Sequence, residues 1–132
     1  MIHRLLLALT ITALLPACVS QAPQVRGAQY YDELCSVCHG TSARGDGPLA
    51  ADLGAPPADL TLLSQRNDGV FPKEDVMAQI YGYPGRYLIG GMPEFGPVLE
   101  GPMVDYTTLS GARIETPQAL IDIAAFLDSK QR

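Results

Sequence analysis

Five consecutive residues, Cys35-Ser36-Val37-Cys38-His39, constrain this chain more than any other feature of it. Two thiols three positions apart on one helical turn face the same way, and a histidine follows at once. This is the C-x-x-C-H spacing of haem c attachment. The thiols can add to the two vinyl groups on one porphyrin edge, and the imidazole can reach the iron. Rival uses of these residues need more than the chain supplies. A thioredoxin-like pair needs a βαβ setting, and the pattern here is helical. A structural zinc site needs four ligands, yet the only other Cys and His are Cys18 and His3. A plain disulfide leaves His39 without a role. The expectation is one covalent haem c, held by Cys35 and Cys38, with His39 as an iron ligand.

The first residues read as an export signal. Met1 to Arg4 is a short basic start, and Leu5 to Leu15 is mostly apolar. That run is too short to span a bilayer. Leu15-Pro16-Ala17-Cys18 resembles a bacterial lipobox, apart from Pro16, in which the Cys is lipidated and becomes the first residue. Lipidation also accounts for Cys18 as the odd cysteine of three. Cleavage after Ser20 is the alternative, and it would discard Cys18. The expectation is a signal over 1–17, a tether over 18–26, and a domain over 27–132. The protein is then exported to a bacterial periplasm and held at the membrane only by lipid on Cys18.

With 132 residues, 47% of them hydrophobic and 17% charged, the chain has room for one domain. A small core leaves space for a large apolar cofactor to supply buried surface. Thirteen Gly and eleven Pro predict many turns and short helices. The net charge is −5, without a cluster of Lys or Arg, which argues against nucleic acid as a partner.

Helical spacing runs from Gly27 to Cys38 through Tyr30, Tyr31, Leu34 and Val37. Pro48 to Leu53 could form one turn. Pro72 to Tyr81 predicts a helix, with Glu74 and Asp75 in its first turn and Gly82 as its stop. Tyr83 to Pro102 should be irregular. Met103–Thr107 and Ala112–Glu115 flank Ser110-Gly111 and could form a small β-hairpin, at about 103–115. A last helix should follow, with Thr116 as N-cap and Pro117 in its first position. Its apolar stripe is Leu120, Ile123, Ala124 and Leu127, joined by Phe126.

Over roughly residues 27–130 the sequence resembles a class I, monohaem c-type cytochrome. Gly27 and Tyr31 lie eight and four residues before Cys35, and Ile123, Phe126 and Leu127 match the last helix of that family. Cys38-His39-Gly40, Gly45-Asp46-Gly47-Pro48 and Pro57-Ala58-Asp59-Leu60-Thr61 also resemble small bacterial members. The resemblance implies an all-α fold of short helices around the haem, with Gly27 beneath Phe126. It implies that a Pro carbonyl, here Pro56 or Pro57, accepts the His39 Nδ1 proton. It offers Arg44, Arg66, Arg86, Tyr83 and Tyr87 for the propionates. It places a second axial ligand at Met92 within Gly90-Gly91-Met92-Pro93. Met77, in a helix, reads as core, and Met103 is the rival ligand.

His/Met ligation fills both axial positions, so the expected function is electron transfer between a redox protein donor and a redox protein acceptor, not catalysis. The alternatives are a dedicated haem subunit of a periplasmic oxidoreductase complex, or an open-haem enzyme or sensor.

Overall fold

The computed structural model describes residues 20–82 and 91–132. Its order is α1 (Pro23–Leu34), α2 (Ser36–His39), α3 (Lys73–Tyr81), β1 (Met103–Thr107), β2 (Arg113–Pro117) and α4 (Gln118–Ser129), with short 3-10 turns between α2 and α3 and before β1. Among the described residues no helix is long and apolar enough to cross a membrane.

The fold is organised by α1 crossing α4. The predicted stripe on α4 is all buried: Leu120, Ile123, Ala124, Phe126 and Leu127. Leu120 and Ile123 are 0% exposed, and fully burying such a side chain stabilises by about 1.5–3 kcal/mol. From α1, Tyr31 meets Phe126 with ring centroids 5.0 Å apart and a tilt of 43°. Gly27 is buried at the crossing, where a Cβ would stand 2.9 Å from Phe126 Cβ. Gly27 thus lies under Phe126, as expected. The missing side chain is what lets the two backbones meet.

One buried residue breaks the apolar stripe. Asp122 is 1% exposed. Arg26 holds it with a two-pronged ion pair, Nε to Oδ2 at 2.6 Å and Nη2 to Oδ1 at 2.7 Å, and Gln118 Nε2 donates to Oδ1 at 3.0 Å. The guanidinium fork matches the carboxylate edge. In return, the carboxylate raises the Arg26 pKa above its ordinary value.

The helix boundaries differ from expectation in three places. The first helix opens at Pro23, so residues 23–26, read as tether, form its first turn. Proline is preorganised for that position and needs no N–H there. The same helix does not run through to Cys38. Cys35 has φ −118° and separates α1 from the single turn α2. Thr116 does not cap α4: it is in β2, paired with Val104, and Pro117 is paired with Met103. Strand pairing carries the extended backbone through Pro117, and the first helical N–H, at Gln118, goes to the Pro102 carbonyl at 2.9 Å.

The hairpin is antiparallel, and Tyr106 faces Ile114 across it. Its tip docks on the first turn of α3, where the Glu74 carboxylate accepts the Leu109 N–H at 2.5 Å. Lys73 Nζ lies 5.3 Å from the Tyr106 ring centroid. Among the described residues the fold is therefore mainly helical with one two-stranded sheet. As expected, α3 carries Glu74 and Asp75 in its first turn and ends at Gly82, whose N–H bonds the Ala78 carbonyl at 3.1 Å.

Candidate functional site

The site begins at the end of α1. Cys35 is buried, Cys38 is half-buried, and both thiols are free. Burial, and then the neighbouring Cys38, push the Cys35 thiol up to about 12. A thiol so placed stays protonated at neutral pH. A dithiol redox pair instead depends on a lowered thiol pKa.

The four-residue α2 leaves its carbonyls without helical partners. The loop after it satisfies them. Gly40 N–H bonds Ser36 O at 2.8 Å, Gly45 N–H bonds His39 O at 2.8 Å, and Gly47 N–H bonds Cys38 O at 3.1 Å. Leu49 N–H closes the set on Val37 O at 3.0 Å. Gly45 has φ +81°, and a Cβ there would run into the Pro57 carbonyl oxygen. Glycine at this position brings the 57–58 backbone up against the motif.

That approach fixes the partner of His39. The imidazole Nδ1 lies 3.1 Å from the carbonyl oxygen of Ala58. The acceptor is therefore neither Pro56 nor Pro57. The Pro57 carbonyl is turned onto Gly45, and the next carbonyl along the chain reaches the ring. A carbonyl can only accept, so Nδ1 carries a proton, and the neutral imidazole held this way has its lone pair on Nε2. Two free thiols and an imidazole with only Nε2 available are a donor set that fits a covalently attached haem. No three His, Cys, Asp or Glu side chains among the described residues gather as a metal-ion cluster.

Behind the motif, the Tyr31 hydroxyl donates to the Gly40 carbonyl at 2.7 Å. This bond is buried, and desolvation holds the Tyr31 phenol well above its ordinary pKa of 10.0. It joins α1 to the residue directly after His39.

The three methionines among the described residues are in different surroundings. Met77 is 3% exposed in α3 and is core, as read from its spacing. Met103 is 49% exposed on β1. Met92 is half-buried and packs against the main hydrophobic cluster. The segment after it is pinned to α3, since Phe95 N–H bonds the Ile80 carbonyl at 2.9 Å.

Arg66 donates to the Asp59 carbonyl at 3.0 Å, and Arg44 is exposed. Cys18, Tyr83, Arg86 and Tyr87 lie outside the described residues. Sequence reasoning missed Ala58, whose contribution is a backbone atom and leaves no side-chain signal. It also missed Asp122, although a charge three residues after Ala119 and four before Phe126, on the apolar face of a helix, was a readable signal.

Among proteins of known family, the family model described as Cytochrome c matches residues 24–131. No curated protein and no solved structure matches the chain.

Proposed function

Because the chain belongs to the cytochrome c family, which binds haem c covalently through cysteines and transfers electrons with it, we propose that this protein is a monohaem, class I electron carrier with the haem joined to Cys35 and Cys38. His39 and Met92 would hold its iron. When bound, the haem supplies a one-electron couple between ferrous and ferric iron. The protein's own residues set the conditions for it. Cys35 and Cys38 hold the ring edge. Ala58 fixes the His39 tautomer, which leaves Nε2 as the donor and raises its basicity. A thioether from Met92 favours ferrous iron and raises the potential.

The observation that carries this reading is the His39 Nδ1 to Ala58 carbonyl bond of 3.1 Å beside two free thiols. Acid–acetone extraction followed by intact mass tests it. The colour should stay with the protein, with a mass increase of one haem. Colour that leaves with the solvent, with no mass increase, refutes covalent attachment.

The cell biology follows from the first residues of the sequence. The protein is exported to a bacterial periplasm and tethered by a diacylglyceryl group on Cys18, and it exchanges electrons with protein partners. Buried acyl carbon contributes about 0.8 kcal/mol per CH2 to such a tether. Globomycin should make the precursor accumulate, and Cys18→Ser should release the protein or leave it unprocessed. Unchanged processing in both cases points to ordinary signal cleavage.

A further inference from the structure

We propose that Gln131 and Arg132, which follow the Lys130 C-cap of α4, are positioning residues for His39: they hold the loop whose Ala58 carbonyl takes the imidazole proton. The inference rests on His39 as an iron ligand.

The residues after Ala58 are bound to this pair from several sides. Arg132 Nη2 meets Asp59 Oδ2 at 3.1 Å, and Arg132 Nε donates to Thr61 Oγ1 at 2.8 Å. The Arg132 backbone N–H donates to the Thr61 carbonyl at 3.1 Å. Gln131 Nε2 donates to the Leu60 carbonyl at 2.8 Å, while its Oε1 accepts the Ser64 N–H at 2.8 Å. Gln131 Nε2 also bonds the Leu127 carbonyl at 2.8 Å, which fastens the pair to the end of α4. Within the loop, Asp59 Oδ1 takes both the Thr61 N–H at 2.9 Å and the Thr61 hydroxyl at 2.6 Å. The position of Ala58 is thus referred to α4 across 71 to 73 residues of sequence.

Without the side-chain bonds of Gln131 and Arg132 the loop keeps the Arg132 N–H to Thr61 carbonyl bond, the Leu60 N–H to Ala43 carbonyl bond of 2.8 Å and the Arg66 contact. Leu60 also packs on the hydrophobic cluster, so the loop stays near the core, but the polar side-chain bonds that fix Asp59 to Thr61 against the end of α4 are lost. A fixed carbonyl keeps the Nδ1 hydrogen bond short and the ring basic, which favours ferric iron. A loosened carbonyl weakens that bond and shifts the balance toward ferrous iron. This effect on the iron separates a positioning role from one limited to stability.

The test uses the holo-protein with Gln131→Leu and Arg132→Met, singly and combined. Three quantities are read: reduction potential, exchange rate of the His39 Nδ1 proton by NMR in the ferrous protein, and melting temperature. The double variant should exchange that proton faster. It should also move the ferric/ferrous balance toward ferrous by up to roughly tenfold, which is about 59 mV for one electron. Arg132→Lys keeps a cation for Asp59 and should return the potential toward wild type. Arg26→Met, which loosens the α1–α4 contact away from this loop, should lower the melting temperature and leave potential and exchange unchanged.

If the double variant melts lower but keeps wild-type potential and exchange, the pair is only a structural clasp and the proposal fails. If the double variant does not fold, the single variants and Arg132→Lys carry the same comparison. A wild-type protein that holds no covalent haem overturns the functional reading itself. A wild-type haem protein with an unresponsive potential overturns the positioning role alone.

Discussion

Gly27 lies so close to α4 that a Cβ on it would stand 2.9 Å from Phe126 Cβ and would overlap the Asp122 carbonyl oxygen. The obstruction on the Asp122 side is backbone, which cannot rotate away. Alanine gains about 1 kcal/mol over glycine inside a helix, but overpacking costs about 1–3 kcal/mol. The overpacking should win, because the helices themselves must part. Gly27→Ala should therefore lower the melting temperature of the holo-protein, by about 4–8 °C for each kcal/mol lost. Gly27→Val should be worse. Equal melting of Gly27→Ala and wild type would show that the crossing yields without strain.

Tyr31 serves the same crossing in a different way. Its ring packs on Phe126, and its hydroxyl reaches past the motif to Gly40. Tyr31→Phe keeps the packing and deletes the hydrogen bond. The Gly40 carbonyl retains the Ala43 N–H at 3.1 Å, so the loss should be modest, about 1 kcal/mol. Tyr31→Ala removes the ring as well and should cost about 3–5 kcal/mol. The phenol pKa is raised by burial, so the stability linked to it is complete below pH 10.0, its ordinary value, and is lost as pH rises toward the higher folded value. Denaturant melts between neutral and strongly alkaline pH should show Tyr31→Phe losing less stability than wild type over that range.

Met92 and Met103 can be separated by spectroscopy. Met92→Ala should abolish the weak far-red charge-transfer band of a ferric haem with a thioether ligand. It should also lower the potential and admit added cyanide readily. Met103→Ala, on an exposed strand face, should do none of these. The opposite pattern moves the ligand to Met103 and keeps the electron-transfer reading. Two silent variants would refute His/Met ligation.

Asp59 gives the fold an acid limit. The Thr61 hydroxyl, and then the Thr61 N–H and Arg132, hold its carboxyl below the ordinary value of 3.8. A lowered folded pKa means that the linked stability is present above 3.8 and disappears as pH falls below it. Asp59→Asn should therefore melt below wild type near neutral pH, and the two curves should converge in stronger acid. A constant gap through the acid range would show that the carboxylate charge contributes nothing.

Much of the fold was legible because its signals are local. The spacing within Cys35 to His39, the Glu74-Asp75 start and Gly82 stop of α3, and the stripe Leu120, Ile123, Ala124 and Leu127 each depend on residues within a few positions of one another. The hairpin was legible for the same reason, from two short runs around Ser110-Gly111. Its extent was not, because pairing of Val104 with Thr116 competes with the cap that Thr116 offers a helix. Strand pairing prevailed there, and no local rule ranks the two.

The sequence by itself determined which reactive groups stand close together along the chain, since two thiols and an imidazole within Cys35 to His39 are fixed by residue type and spacing. Only the tertiary structure decided what surrounds them. Arg26 finds Asp122 across 96 residues, and Arg132 finds Asp59 across 73. The choice of Ala58 over Pro56 or Pro57 for the His39 proton turns on which carbonyl faces the ring once Gly45 admits the loop. Every residue has a carbonyl, so residue type cannot distinguish these three; their placement by distant contacts does.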